Sequence, residues 1–298
     1  MVKLLVTLDV EPDCDIHWNR SNPLKFTSVT VGIPKILRPI WDKYDVKPIY
    51  FVSPEVVMDK KCCRYLKQEI KMGAIIGTHL HSEYIAPNIT IKNPKGKPSK
   101  EIPCFTHDTK TEFEKIKNFT KLIERNLGVK PMWYRAARYG ADLDTIKSLK
   151  KLGYKYDSSV TPHIDWSKQG GPDHSKAPEQ PYWISKSNFY KATGQKQSIG
   201  IREYPITIIG KRFGILGKIL PNNWYLFSWL RPTHMTVYEQ KKLIRNYAKK
   251  YKNSEVILMF HSMEIMSGKT PFVRNQTMQK LFLSRLEKII RFIKHEKL

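Results

Sequence analysis

What most constrains this chain is a repeated alternation of short apolar runs with longer stretches of helical period. The runs are Lys3–Leu8, Pro48–Val52, Ala74–Ile76, Met132–Tyr134, Tyr154–Tyr156, Glu203–Ile206 and Val256–Phe260. Most are too short, and too rich in β-branched and aromatic residues, to be helices, so they are expected to be buried strands. Strands that alternate with helices predict a parallel α/β architecture.

Boundary signals support the helices between them. Ser53 is an expected N-cap with Pro54 at the first helical position, and Gly73 stands just past the end of the same segment. Thr109 with Glu112, and Thr236 with Glu239, have capping-box spacing. Gly128 and Gly153 follow two further amphipathic segments. The last helix carries Met278, Leu281, Phe282, Leu286, Ile289, Ile290 and Ile293 at helical spacing. Two stretches break the alternation, Glu83–Thr106 and Val160–Gln197, and loops this long in a compact domain are usually functional. With no internal repeat or low-complexity tract, residues 1–298 are expected to form one domain with elaborate loops.

Composition narrows the class. A 41% hydrophobic content fills a sizeable core and argues against disorder. The 52 basic and 27 acidic residues give a net charge of +25, which favours anionic surfaces or substrates. The basic residues are spread over almost every segment, as on a solvated lysine-rich surface. Cys62 and Cys63 are adjacent while Cys14 and Cys104 are isolated, so neither a disulfide framework nor a structural zinc motif is expected. The first residues read as a strand rather than a signal peptide, and no run approaches the roughly 18 apolar residues of a membrane span. A cytoplasmic protein is the expectation.

The chemistry-bearing residues follow the expected strands directly, and in a parallel barrel they would gather on one face. Asp9, Glu11 and Asp13 crowd three carboxylates after the first run, which is costly unless a cation offsets them. His79 and His81 follow the third run, and extended spacing sends both imidazoles to the same side. With Glu11 they could supply three ligands of an open catalytic metal site. The set of two nitrogens and one carboxylate oxygen suits zinc without excluding other first-row metals. His261 ends the last run and has the side chain suited to proton transfer near neutral pH.

Taken in order, Asp9-Val-Glu-Pro-Asp13, His79-Leu-His81, Arg135-Ala-Ala-Arg-Tyr-Gly140, Asp157-Ser-Ser159 and Phe260-His-Ser-Met-Glu264 resemble the motifs of the polysaccharide deacetylase family of carbohydrate esterases. The resemblance implies a single distorted (β/α) barrel, expected to be seven-stranded, with long loops over the active-site face. It also implies a divalent metal, zinc before others, and hydrolysis of N-acetyl or, less often, O-acetyl groups. Asp9 matches the family's catalytic base and Arg135 the arginine that orients it. His261 matches the catalytic acid, and Asp157 resembles the aspartate that tunes it, with Asp165 as the competing choice. The metal and a backbone N–H near Arg138 or Tyr139 would stabilise the oxyanion. Arg138, Tyr139, Trp166 and Glu264 are the candidate substrate contacts. The chain departs from the family where two adjacent aspartates and a His-x-x-x-His pair are usual: it has Asp9-Val10-Glu11, and Glu83 where the second histidine would fall. Asp13 and Glu83 are therefore alternative ligands.

Two other readings compete. An inactive relative would hold a glycan on aromatics such as Trp183, Trp224 and Trp229 without turning it over, but Asp9, Arg135 and His261 are retained. Nucleic-acid binding would explain the charge, yet no zinc finger, helix-turn-helix or RNP-like motif is present, so no nucleic-acid partner is expected. The basic and aromatic segment Gly210–Arg231 suits contact with an anionic membrane, or a lid over the substrate. The expected partner is an acetylated glycan or glycan precursor.

Overall fold

The computed structural model describes residues 2–91, 103–210 and 227–296. Its central sheet has nine strands in the order β11-β1-β2-β3-β4-β5-β8-β6-β7. Seven of them run parallel: β1 (Lys3–Val10), β2 (Ile49–Val52), β3 (Ile75–Thr78), β4 (Trp133–Tyr134), β5 (Tyr156–Asp157), β8 (Ser198–Glu203) and β11 (Glu255–His261). The expected count of seven is thus too low. The additional strands, β6 (Tyr182–Ser185) and β7 (Ala192–Thr193), are antiparallel and come from the Val160–Gln197 excursion, which looked like loop. Its strands are too short for their alternation to stand out. The sixth parallel strand also lies upstream of the expected Glu203–Ile206, at Ser198–Glu203. A separate hairpin pairs β9 (Ile208–Gly210) with β10 (Phe227–Trp229).

The sheet curls into a distorted barrel. Its seam is bridged without a ladder: Thr207 N–H donates to the Ile257 carbonyl (3.3 Å), and Ile257 N–H donates to Thr207 Oγ1 (2.8 Å). Pleating sends alternate residues in and out. On β1 and β11, Val6, Leu8, Val10, Val256, Leu258 and Phe260 pack beneath the helices in the main core. Leu5 and Ile257 point inward with Ile49, Phe51, Trp133 and Tyr204, filling the closed end of the barrel. By the same alternation Asp9, two residues beyond Thr7, and His261, two beyond Met259, share the inward face at the open end.

The helices are α1 (Arg38–Lys43), α2 (Pro54–Met58), α3 (Lys60–Lys71), α4 (Thr109–Leu127), α5 (Leu143–Leu152), α6 (Val237–Lys250) and α7 (Gln276–His295). Gly128 and Gly153 end α4 and α5 in the left-handed conformation, and Thr236 with Glu239 forms the expected capping box. Two local expectations are corrected. The segment after Ser53 is broken at Asp59, whose carboxylate caps α3 by accepting from Cys62 N–H at 2.8 Å, while the Ser53 hydroxyl caps nothing. Asp108 rather than Thr109 caps α4, and Glu112 turns inward to accept from Thr145 Oγ1 at 2.6 Å. On α7, Phe282, Leu286, Ile289, Ile290 and Ile293 are buried, but Met278 and Leu281 remain exposed. The four cysteines are buried and form no disulfide among the described residues. Among the described residues no helix is long and apolar enough to cross a membrane.

Candidate active site and metal centre

At the open end of the barrel lies a cavity of about 750 Å³, of the size that holds small molecules. Asp9, Glu11, His79, His81, Arg138, Tyr139, Trp166 and His261 all line it, so eight of the residues singled out from sequence meet there.

Its polar floor begins at Asp9, where β1 ends. Asp9 Oδ1 accepts from Arg135 Nη1 at 2.7 Å, and Oδ2 lies 3.9 Å from His261 Nε2. Arg135 is fully buried and held through all three nitrogens: besides the bond to Asp9, Nε donates to the Ser158 carbonyl, and Nη2 donates to Thr7 Oγ1 and Ser158 Oγ at 2.9 Å each. Its guanidinium also sits 4.1 Å from the Phe51 ring centre. A buried cation held at every edge fixes the carboxylate it contacts.

Glu11, His79 and His81 are buried, and a ligand atom from each lies within 4.8 Å of the others. Each imidazole is oriented by its far nitrogen. His79 Nδ1 contacts the Arg135 carbonyl (3.0 Å), and His81 Nδ1 contacts Glu55 Oε1 (2.7 Å). Both acceptors take an N–H at Nδ1, which turns both Nε2 atoms toward Glu11 Oε1, at 3.0 and 3.7 Å. Burial pushes the Glu11 carboxyl up, but the hydrogen bonds from His79 and His81 outweigh it and hold the group well below its ordinary range. Burial and Arg20 lower His81, but Glu55 and Glu11 outweigh them and hold it well above its ordinary value, so without a metal its Nε2 carries a proton. Two imidazole Nε2 atoms converging on one ionised carboxylate fit a divalent metal with open positions, which would take that proton's place. Asp9, Glu11 and His261 also approach one another within 4.8 Å. There, however, Asp9 is already committed to Arg135, and His261 is partly exposed.

The alternative ligands lie elsewhere. Asp13 accepts from Thr27 and Ser28 N–H, both at 2.9 Å, and so caps the helical stretch Ser28–Leu37. Glu83 is buried but does not line the cavity.

His261 Nδ1 is flanked by Glu264 Oε1 at 3.0 Å and Arg231 Nη2 at 2.9 Å, and Arg231 and Glu264 are themselves in tight contact. Glu264 Oε1 also accepts from the His261 backbone N–H at 2.9 Å. Burial raises the Glu264 carboxyl, but Arg231 and His261 hold it far below its ordinary range, so it stays ionised. Asp157 does not occupy this position. On β5, Tyr156 joins the inward cluster, and pleating turns Asp157 to the outer face. There Asp157 accepts from Ser159 Oγ at 2.7 Å and pairs with Glu203, its register partner on β8. Burial raises both carboxyls, and the bond between them requires a shared proton. Asp165 is exposed and accepts from Ser167 N–H. Glu264, expected among the substrate contacts, is fully buried behind His261.

Arg138 and Tyr139 both have positive φ, 52° and 58°, an unusual backbone for non-glycine residues and one that clusters at functional sites. The Tyr139 N–H donates to the Ala136 carbonyl at 3.0 Å. Its ring stacks on Trp166 with centres 5.6 Å apart, and Trp229 follows at 6.3 Å, making an aromatic wall.

Sequence reasoning missed Trp18, Arg20, Glu55, Arg231, His234 and Phe272. Glu55 carried a usable signal, being a carboxylate in the first turn after strand β2. The others come from loops, whose placement no periodicity reports. Phe227 and Trp229, from the segment Gly210–Arg231 that suits a membrane contact or a lid, are buried against Ile206, Ile208 and Met259. Lys211, Arg212, Lys218 and Trp224, from the same segment, lie outside the described residues.

No family model matches the chain, and no curated protein matches it. Its fold is that of solved structures assigned to the polysaccharide deacetylases. One from Mycobacterium smegmatis is 16% identical, with a TM-score of 0.55 over 99% of this chain and 85% of its own. One from Pseudomonas aeruginosa is 11% identical, with a TM-score of 0.51 over 99% and 86%. An allantoinase structure is similar to the same degree, at 12% identity and a TM-score of 0.54 over 99% and 85%.

Proposed function

We propose that this chain is a metal-dependent hydrolase that removes an acetyl group from the nitrogen of an amino sugar in a glycan or glycan precursor. The observation that carries the reading is the pairing of Asp9 and His261 across 3.9 Å, beside the converging Glu11, His79 and His81. Bound by those three residues, a divalent ion, with zinc the best match to the donor set, would act as a Lewis acid on the acyl carbonyl and make water a better nucleophile.

The chain's own groups supply the proton transfers. Asp9 takes the proton of the attacking water on Oδ2, because Oδ1 is held by Arg135. As the carbon–nitrogen bond breaks, His261 Nε2 delivers a proton to the departing amine, leaving acetate and a free amino group. Glu264 balances the charge on His261 and Arg231 sets its ring, the roles expected of Asp157. The wall of Tyr139, Trp166 and Trp229 offers apolar faces to a sugar ring. The alternative O-acetyl substrate would leave as an alcohol and need less from the acid.

The test is acetate release from N-acetylated and O-acetylated sugars, assayed with added zinc, cobalt or manganese and after chelation. Release from an N-acetylated amino sugar that chelation abolishes and metal restores supports the reading. Release unaffected by chelation, or no release from any acetylated sugar by metal-loaded protein, overturns it.

A further inference from the structure

The metal cluster is backed by two residues that its ligand chemistry does not by itself require. Glu55 is wholly buried at the start of α2, where the turn after β2 aims it at β3. Its Oε1 is 2.7 Å from His81 Nδ1 and 3.1 Å from Arg20 Nη1. Arg20, from the loop that follows β1, reaches back with Nη2 to Glu11 Oε2 at 3.4 Å. The four residues close a ring: Glu11 Oε2 to Arg20, Arg20 to Glu55, Glu55 to His81 Nδ1, and His81 Nε2 back toward Glu11 Oε1 at 3.7 Å. Each link is polar and nearly dry, so each is stronger than it would be in water.

We infer that Glu55 and Arg20 are positioning residues that set the metal affinity of Glu11 and His81, an inference that rests on the metal-dependent reading of the site. Glu55 keeps an N–H at His81 Nδ1, so that Nε2 is the atom left for the metal and a better donor to it. Arg20 occupies Glu11 Oε2 and leaves Oε1 to the metal. Ligation through one oxygen keeps positions open for water and substrate. Arg20 also supplies the positive charge without which Glu11 and Glu55 would stand as two buried carboxylates against one histidine pair.

The experiment is zinc and cobalt titration by calorimetry of the full chain, wild type, Glu55→Gln and Arg20→Gln, with the melting temperature of each metal-free protein recorded alongside. Glutamine keeps the shape of Glu55 but removes the charge. Glu55→Gln is expected to weaken metal binding about 10–100-fold, the usual effect of removing such a partner, with little change in metal-free melting. Equal metal affinity in wild type and Glu55→Gln overturns the positioning role while leaving the metal-dependent reading intact. Wild-type protein that binds neither metal overturns both.

Discussion

Asp9 is nearly inaccessible, and one of its two oxygens is committed to Arg135, so exchange to asparagine changes its chemistry more than its surroundings. Asp9→Asn keeps an acceptor for Arg135 but cannot take a proton. Turnover is expected to fall about 10²–10⁴-fold with metal content and melting near wild type, as steady-state kinetics and calorimetry would show. Near-wild-type turnover would remove Asp9 from the role of base. At the acid, the geometry separates two carboxylates that sequence reasoning had in other roles. Glu264→Gln removes the charge beside His261 Nδ1 and is expected to lower kcat with little change in KM. Asp157→Asn can replace the proton shared with Glu203 by an amide N–H, so it should leave kcat nearly unchanged. The reverse result would return the tuning role to Asp157.

At the scale of elements, the barrel interior leaves little slack beneath the site. Gly77 on β3 faces Phe51 so closely that an added Cβ would lie 2.7 Å from its ring, and Phe51 is the ring under Arg135. Gly77→Ala is expected to destabilise by about 1–3 kcal/mol and to lower kcat by displacing Arg135 from Asp9, both measurable in one preparation. The contact between α4 and α5 carries a pH dependence of its own. Burial, with the charges of Asp142 and Asp144, pushes the Glu112 carboxyl from its ordinary 4.5 to about 7, against a lowering hydrogen bond from Thr145. The folded protein then holds this proton where the unfolded chain releases it. The contribution to stability is complete below about pH 4.5 and is lost as pH rises through about 7. Glu112→Gln should therefore gain melting temperature relative to wild type across that window. A constant difference from pH 4 to 8 would show that Glu112 titrates normally.

The whole molecule carries +25 charge spread over its surface rather than focused in one element. Such a surface is expected to draw the protein to acidic vesicles at low salt. Each basic residue near the membrane contributes about 1 kcal/mol, and salt screens the attraction. If the segment Gly210–Arg231 adds a specific contact, Lys211, Arg212 and Lys218 changed to Ser should weaken co-sedimentation more than three serines placed on α6. Equal loss in both triple variants would leave only diffuse attraction. Phe227 and Trp229, two aromatics of that segment, are buried and would not take part in such a contact.

The chain's periodicity by itself determined the parallel α/β class, because buried strands and amphipathic helices each impose a spacing that survives without tertiary knowledge. The same period of two put Asp9, His79, Arg135 and His261 on inward positions at strand ends, which is why these residues were legible one by one. What only the tertiary structure decided were the relations across strands and loops. Asp157 sits next to inward residues in sequence, yet the pleat turns it to the outer face, and a one-residue difference in register decides between tuning an acid and pairing with Glu203. Arg20 and Arg231 reach the site from two different connections, and nothing local in a loop reports where its side chain ends. The strands β6 and β7 likewise gain their identity only by pairing beside β8, since two to four residues carry too little pattern to declare themselves alone.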